Sequence, residues 1–394
     1  MMRRSQRYLF VTWDGGGNLG PALALARVLA QRGHSIAFLG HEAQRARIRR
    51  AGFVSAAFAG SPFWEARAPL PLQPRLSDEV TYQPAIVDDV RAQIDVAQPD
   101  VVVIDNMLVG GLIAAEVSNL RSAVLVHTIP HYFTHGPHWP TRLPTVNALR
   151  AKFGLPAVET IDEAWQRAGL VIVAALRCFD PRTEPLTDLH FVGPLFEEAS
   201  DARALAPSRA TKRADALALV SLTTFYHRAK VETLQRIVDG LSPLDMRVLV
   251  TAADVKPDDL RLSAKAELAA FIPHHEVLPS VSLVVTHGGH GTTLAALAHG
   301  VPVLMLPMFG DQRMVAERVV ELDAGRALPL DADPSQIREA AEELLSVRSY
   351  RRAARELAAD IRRQNSATRG ADLLESLVPD SSGFVGLAES PKGE

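Results

Sequence analysis

The chain alternates between short, unbroken apolar runs and longer stretches whose apolar residues recur at helical spacing. Tyr8–Trp13, Ser35–Leu39, Asp100–Ile104, Ala123–His127 and Leu170–Ala174 are of the first kind. Such runs, rich in β-branched residues, read as strands covered on both faces. Pro21–Arg32, closed by Gly33, and Ala85–Ala97 and Gly110–Ser118 are of the second kind and predict helices. A second series follows: strands at Ala216–Leu222, Arg247–Thr251, Val281–Val285 and Val303–Pro307, with helices at Ala229–Leu241, Thr292–His299 and Gln312–Leu322. Two more helical stretches lie at Pro334–Ser346 and Tyr350–Gln364. This rhythm predicts an α/β protein built from two Rossmann-like domains facing across a cleft, each with a parallel sheet.

The rhythm breaks at Ser61–Pro84, which is proline-rich and carries Phe63 and Trp64, and at His131–Pro144, which carries His131 and Trp139. Both read as loops of the kind that shape a ligand pocket. Phe191-Val192-Gly193-Pro194 closes the first half. The expected division is an N-terminal domain at 1–196, a linker at 197–213 rich in Ala, Ser, Asp, Arg and Pro, a C-terminal domain at 214–378, and a disordered tail at 379–394.

At 394 residues, two cores are expected rather than one. A net charge of −3 gives no electrostatic case for nucleic acid or an anionic membrane. The lone Cys178 forms no internal disulfide and is expected as a buried thiol at a strand end. No apolar run is long enough to span a bilayer, and the run after the basic start is too short for a signal peptide, so a cytoplasmic location is expected.

The most informative stretch is Thr286-His287-Gly288-Gly289-His290-Gly291-Thr292-Thr293, which follows a strand and opens a helix. Glycines that let the main chain approach closely, free amides at a helix start and two hydroxyls are the physical requirements for holding a diphosphate. Together with Ala298-His299-Gly300-Val301-Pro302 and Pro307-Met308-Phe309-Gly310-Asp311-Gln312, it resembles the nucleotide-sugar signature of the UDP-glycosyltransferase superfamily with the GT-B fold. The likeness is greatest to bacterial enzymes that glycosylate natural products such as antibiotics. Phe271-Ile272-Pro273-His274, Ser221-Leu222-Thr223-Thr224, Gly33-His34 and Phe191–Pro194 also match family segments.

The resemblance implies an inverting, metal-independent transferase with a nucleotide-diphosphate sugar as co-substrate, a hydrophobic small-molecule acceptor, and a possible homodimer. His287, Gly289, Gly291, Thr292, Thr293, Thr223 and Thr224 would hold the diphosphate. Phe271, Ile272 and Pro273 would hold the base, and Asp311 and Gln312 the sugar. An Asp ahead of a helix is also a common N-cap. His290, where the family often has a small residue, either packs or adds a phosphate contact. Ala295 stands where relatives that use UDP-sugars carry a Glu for the ribose hydroxyls, which favours a dTDP-deoxysugar donor and leaves UDP-sugars possible. Phe63, Trp64, His131 and Trp139 would line the acceptor pocket.

The acceptor side departs from the family. In the turn Asp14-Gly15-Gly16-Gly17-Asn18-Leu19-Gly20-Pro21, Asn18 stands where many relatives have the His that removes the acceptor proton, oriented by an Asp matching Asp105. An amide takes no proton at physiological pH. Three explanations stay open: an acidic acceptor that Asn18 only orients, another base (Asp14, His127, His131 or His135), or a non-catalytic activator. His127, directly after a strand, is the best placed. His127, His131, His135 and His138 have helix-like spacing, but Pro130 and Gly136-Pro137 break any helix there, so no metal site is expected. Gly15, Gly17 and Gly20 also fit a dinucleotide fingerprint with Glu42 as its acid, against which Pro21 and the second glycine-rich turn both weigh.

Overall fold

The computed structural model describes residues 5–60, 81–136, 140–180, 188–197, 216–223, 227–252 and 254–378. Strands β1 (Arg7–Val11), β2 (Ser35–Gly40), β3 (Val54–Ala57), β4 (Val101–Asp105), β5 (Arg121–Val126), β6 (Val171–Val173) and β7 (Leu189–Phe191) form one parallel sheet in the order β3-β2-β1-β4-β5-β6-β7. Between them run α1 (Leu19–Gln31), α2 (Glu42–Arg50), α3 (Pro84–Ala97), α4 (Val109–Val117), α5 (Pro130–His135), α6 (Leu143–Lys152) and α7 (Ile161–Gln166). The second sheet repeats the plan. Strands β8 (Ala216–Ser221), β9 (Met246–Thr251), β10 (Ala266–Ala269), β11 (Leu283–Thr286), β12 (Val303–Met305) and β13 (Gly325–Ala327) lie in the order β10-β9-β8-β11-β12-β13, all parallel. Their helices are α8 (Lys230–Leu241), α9 (His274–Val277), α10 (His290–Ala298), α11 (Gln312–Glu321), α12 (Pro334–Ser346), α13 (Arg348–Gln364) and α14 (Ser366–Ser376).

The strands are apolar throughout because both faces are covered. Leu9, Val11, Val102 and Ile104 enter the core under α3 and α4, while Tyr8, Phe10, Val101 and Val103 enter the core under α1. Successive side chains point to opposite faces, so a central strand needs no polar position.

The chain's end crosses back. Ala371 and Leu374 of α14 lie in the same core as Leu25 and Leu29 of α1. His34 Nδ1 accepts the Gln6 amide at 3.0 Å, so its Nε2 carries the proton and donates to the buried Glu375 at 2.9 Å. Arg32 reaches Glu375 at 3.0 Å and Asp372 at 2.8 Å. Asn365, left-handed at φ 52°, sets the bend between α13 and α14. A Cβ on Gly193 would lie 2.6 Å from Ser366 Oγ, so Gly193 leaves room for this crossing. The segment expected to end the C-terminal domain therefore completes the core of the N-terminal one.

Three other expectations are corrected. The stretch 131–144 is not a plain loop: Pro130 starts α5 and Gly136 follows its end, and Pro144 lies in the first turn of α6. Proline tolerates a first helical turn, where its missing N–H has no partner to lose. The helix of the glycine-rich turn starts at His290, not Thr292. Cys178 is exposed, in a one-turn helix at Arg177–Phe179 whose buried side chain is Phe179. Phe63, Trp64, Trp139, Thr224, almost all of 197–213 and the tail at 379–394 lie outside the described residues. No helix among the described residues is long and apolar enough to cross a membrane.

Candidate active site

In each sheet the first strand has neighbours whose connections run to opposite sides, β1 between β2 and β4, and β8 between β9 and β11. A crevice forms at the carboxyl ends of such strands. The two glycine-rich turns lie there.

On the C-terminal side, β11 ends at Thr286 and Gly288 takes φ +82°, a turn disfavoured for residues with a Cβ. A Cβ on Gly289 would sit 2.5 Å from His287 Nε2, so the His287 ring lies close over the turn. The first helical bond of α10 runs from Thr293 N–H to Gly289 O at 3.0 Å. The amides of His290, Gly291 and Thr292 precede it and have no partner within the helix. Gly291 is exposed with open space where a side chain would be, and Thr292 is half-buried. Thr293 differs from its neighbours: its amide closes the first bond of the helix, and its hydroxyl is buried without a hydrogen-bond partner among the described residues. His287 is held neutral, at about 4, chiefly by burial and in smaller part by the Lys230 charge, against a hydrogen bond to the Ser221 backbone. Thr223 is buried beyond the end of β8.

Phe271 is 77% exposed, a bare aromatic face rather than core, with Ile272 and Pro273 half-buried behind it. Gln312 is buried, and its Oε1 accepts the amides of Met308 at 2.9 Å and Phe309 at 3.0 Å, which pins the turn ahead of α11. Asp311 occupies the N-cap position of α11, yet its side chain caps nothing. It accepts instead from Thr128 Oγ1 across the cleft.

On the N-terminal side, Asn18 is buried in the turn after β1. Its Nδ2 donates to Trp13 O at 2.9 Å and to Asp105 Oδ2 at 3.1 Å, and its Oδ1 accepts the Gly15 amide at 3.2 Å. Asp105 Oδ1 accepts Trp13 Nε1 and the Met107 amide, both at 3.0 Å. Its Oδ2 also lies 3.0 Å from His127 Nδ1. That approach is oblique, within ion-pair distance but off the line of a straight hydrogen bond. Burial works against charge on both partners, but the mutual attraction outweighs it. The carboxyl of Asp105 is held below its usual range by the His127 charge and by bonds from His127, Met107 and Asn18. His127 is raised above its ordinary value by the charge and hydrogen bond of Asp105 and the charge of Asp311.

The Asp14 amide donates to His41 Nδ1 at 3.0 Å. His131 and His135, one turn apart on α5, stack at 4.8 Å with 5° between their planes. Glu42, the acid of the dinucleotide fingerprint, is an exposed first residue of α2 paired with Arg45.

His290 bridges the halves. Its Nε2 lies 3.3 Å from Ala174 O, at the end of β6, and its ring meets Phe179 edge-on at 88°. Burial holds it at about 4, opposed by the Asp311 charge and reinforced by that of His127. Asp105, His127, Asp311 and His290 thus gather at one place. Thr128 went unnoticed in the sequence; its only signal is its place, directly after His127 at a strand's carboxyl end.

Residues 235–377 match the family model described as "Erythromycin biosynthesis protein CIII-like, C-terminal domain". The chain is 26% identical over 412 residues to the demethyllactenocin mycarosyltransferase of Streptomyces fradiae, covering 95% of this chain and 87% of that protein. It is 24% identical over 425 residues to the 4'-demethylrebeccamycin synthase of Lentzea aerocolonigenes, covering 94% and 99%. The crystal structure of CalG4, the calicheamicin glycosyltransferase, superposes with a TM-score of 0.77 at 26% identity, over 95% of this chain and 98% of that one. The dinucleotide-enzyme and non-catalytic readings give way to these likenesses. With its two Rossmann-like domains and its diphosphate-type turn, the chain is a glycosyltransferase of the GT-B fold, similar over nearly its whole length to enzymes that glycosylate natural products.

Proposed function

We propose that the protein transfers a sugar, with inversion and without a metal, from a nucleotide diphosphate to a hydroxyl of a hydrophobic small molecule, and that His127 is the base. The observation that carries this is the meeting of His127 Nδ1 and Asp105 Oδ2 at 3.0 Å, on the oxygen that also receives Asn18. Asp105 directs Nδ1–H toward itself, which leaves Nε2 as the proton acceptor. The acceptor O–H gives its proton to Nε2 while its oxygen bonds to C1 of the sugar. The C1–O bond to the diphosphate breaks on the opposite face. Charge growing on the leaving diphosphate is met by the amides of His290, Gly291 and Thr292, with the neutral His287 ring, its N–H turned to the Ser221 backbone, packed against the turn that presents them. Asp311 takes sugar hydroxyls and Phe271 stacks under the base.

The donor reading is a dTDP-deoxysugar in preference to a UDP-sugar. Ala295 offers no acceptor to a ribose hydroxyl, so nothing at that position rewards ribose over deoxyribose. Calorimetry with dTDP and UDP, followed by turnover of dTDP- and UDP-glucose on a panel of aromatic and aliphatic alcohols, tests it. dTDP is expected to bind at least as tightly as UDP, and the product's anomeric coupling constant to show inversion. A clear UDP preference sinks the donor reading; no nucleotide binding by folded protein sinks the whole proposal.

A further inference from the structure

One nitrogen of the His290 ring, beside the reaction centre, has no partner among the described residues. The carbonyl of Ala174 only accepts, so the His290 Nε2 beside it at 3.3 Å carries the ring's proton. The ring is neutral, and its Nδ1 is therefore a bare acceptor. That atom is buried without a hydrogen-bond partner, in a side chain belonging to a residue only 7% exposed. A buried acceptor left unmet is costly, and its retention calls for an explanation. Phe179 edge-on and the Ala174 carbonyl fix the ring, so the lone pair cannot turn to another partner.

Three features bracket the ring. His290 is the first residue of α10, whose amides form the diphosphate end of the site. Asp311 and His127 both act on its ring electrostatically. A group placed between the diphosphate end, Asp311 and the base is the transferred sugar. Resting on the glycosyl-transfer reading above, we propose that His290 Nδ1 accepts a hydrogen bond from a hydroxyl of the donor sugar and is a specificity-determining residue. The donor must then carry a hydroxyl at one particular ring position, whatever oxygens it lacks elsewhere. A neutral ring suits this role better than a phosphate contact, because Nδ1 offers a phosphate oxygen no proton.

Two substitutions separate the ring's two nitrogens. His290→Gln keeps a donor for Ala174 at the Nε2 position and removes the acceptor; His290→Asn keeps an acceptor at the Nδ1 position and gives up the Ala174 bond. Thermal melting confirms that each is folded. Calorimetry then measures affinity for the nucleoside diphosphate and for the intact nucleotide sugar, and kcat/KM is taken over donors lacking each sugar hydroxyl in turn. Loss of one neutral hydrogen bond predicts about a tenfold drop in nucleotide-sugar affinity and kcat/KM for His290→Gln, with diphosphate affinity unchanged and most of the loss recovered in His290→Asn. One deoxy donor should fall about tenfold with the native enzyme and show no deficit with His290→Gln. Equal donor preferences in native enzyme and His290→Gln would overturn the proposal and leave Nδ1 to a water. So would a matching loss of diphosphate affinity, which makes the ring a domain strut. If the native protein binds no nucleoside diphosphate, the transfer reading fails and this inference with it.

Discussion

Replacing His127 by Asn removes the imidazole that the fold brings to Asp105 while keeping an amide where the ring was. The structural cost is limited. Asp105 keeps Trp13 Nε1, the Met107 amide and Asn18 Nδ2, so its carboxylate is never left bare. A lost charged contact of this kind costs about 1–3 kcal/mol, against a folding stability of about 5–15 kcal/mol, and the variant should fold. The catalytic cost is larger. A positioned general base contributes about 10²–10⁴ in rate, or roughly 2.7–5.4 kcal/mol at 1.36 kcal/mol per decade. The expected loss in kcat on an aliphatic alcohol is therefore at least about a hundredfold, and smaller on an acidic phenol, which releases its proton more readily. Asn18→Ala, which leaves the base in place, should lose far less on both. The native pH profile should rise with pH through a midpoint above the ordinary histidine value of about 6.5, because Asp105 and Asp311 together favour the protonated ring. Rates come from quantified glycoside at saturating donor, with melting temperature as the control for folding. A His127→Asn enzyme within about threefold of native on the alcohol would refute the assignment, as would a native profile flat from about pH 6 to 8.

Thr128→Val removes the hydroxyl that reaches Asp311 across the cleft. It should weaken nucleotide-sugar binding by about three- to tenfold while leaving nucleoside diphosphate affinity alone, with Thr128→Ser restoring it; equal losses for both ligands would refute a role through the sugar. Acid should destabilise the fold through His41 and His290, both buried and held at about 4. Their folded values lie below the unfolded value of about 6.5, so their contribution is complete above that pH and is lost as pH falls toward 4, with a ceiling of about 3 kcal/mol per ring. Urea midpoints measured from pH 7 to 4 should fall steeply, and a flat profile would contradict the burial argument.

The central strands and long helices were legible because each is a purely local pattern: apolar on both faces of the sheet, or apolar along one helical stripe. Short elements were not. Edge strands such as β7 and β13 have three residues each, too few to show a period. The helices α5 and α6 were hidden by prolines that mark helix starts rather than breaks. The helix α14 carries Gly370 because Leu25 of α1 leaves no room for a side chain there, so the residue that makes the packing possible weakens the helix signal. The donor turn was readable because its residues are contiguous. The His127–Asp105 pair was readable only as two candidates, since parallel pairing of β4 and β5 is what unites them. The Thr128–Asp311 bond, spanning 183 residues and two domains, left no trace in the sequence.

On the proposed mechanism, the register of that pairing accounts for a site that works with Asn18. Asp105 lies opposite Leu125, and His127 stands two positions further on, past the end of β5. Of the carboxylate's two oxygens, Oδ1 is taken by Trp13 and Met107, which fix its plane. Oδ2 faces both the turn after β1 and the loop after β5. An imidazole at either place meets the same oxygen and gains the same electrostatic support, so the base can change strands without any change in the acid that orients it. What does change is the company the base keeps. Asn18 lies deep in its own domain, whereas His127 is followed at once by Thr128, whose hydroxyl holds Asp311 of the other domain. On the proposed mechanism, the proton acceptor and the sugar grip are thereby carried on consecutive residues of one loop. Separating the domains would pull Asp311 away from Thr128 and His127 together. The base would then act only when the donor sugar is clasped, which is when water has also been displaced from the cleft.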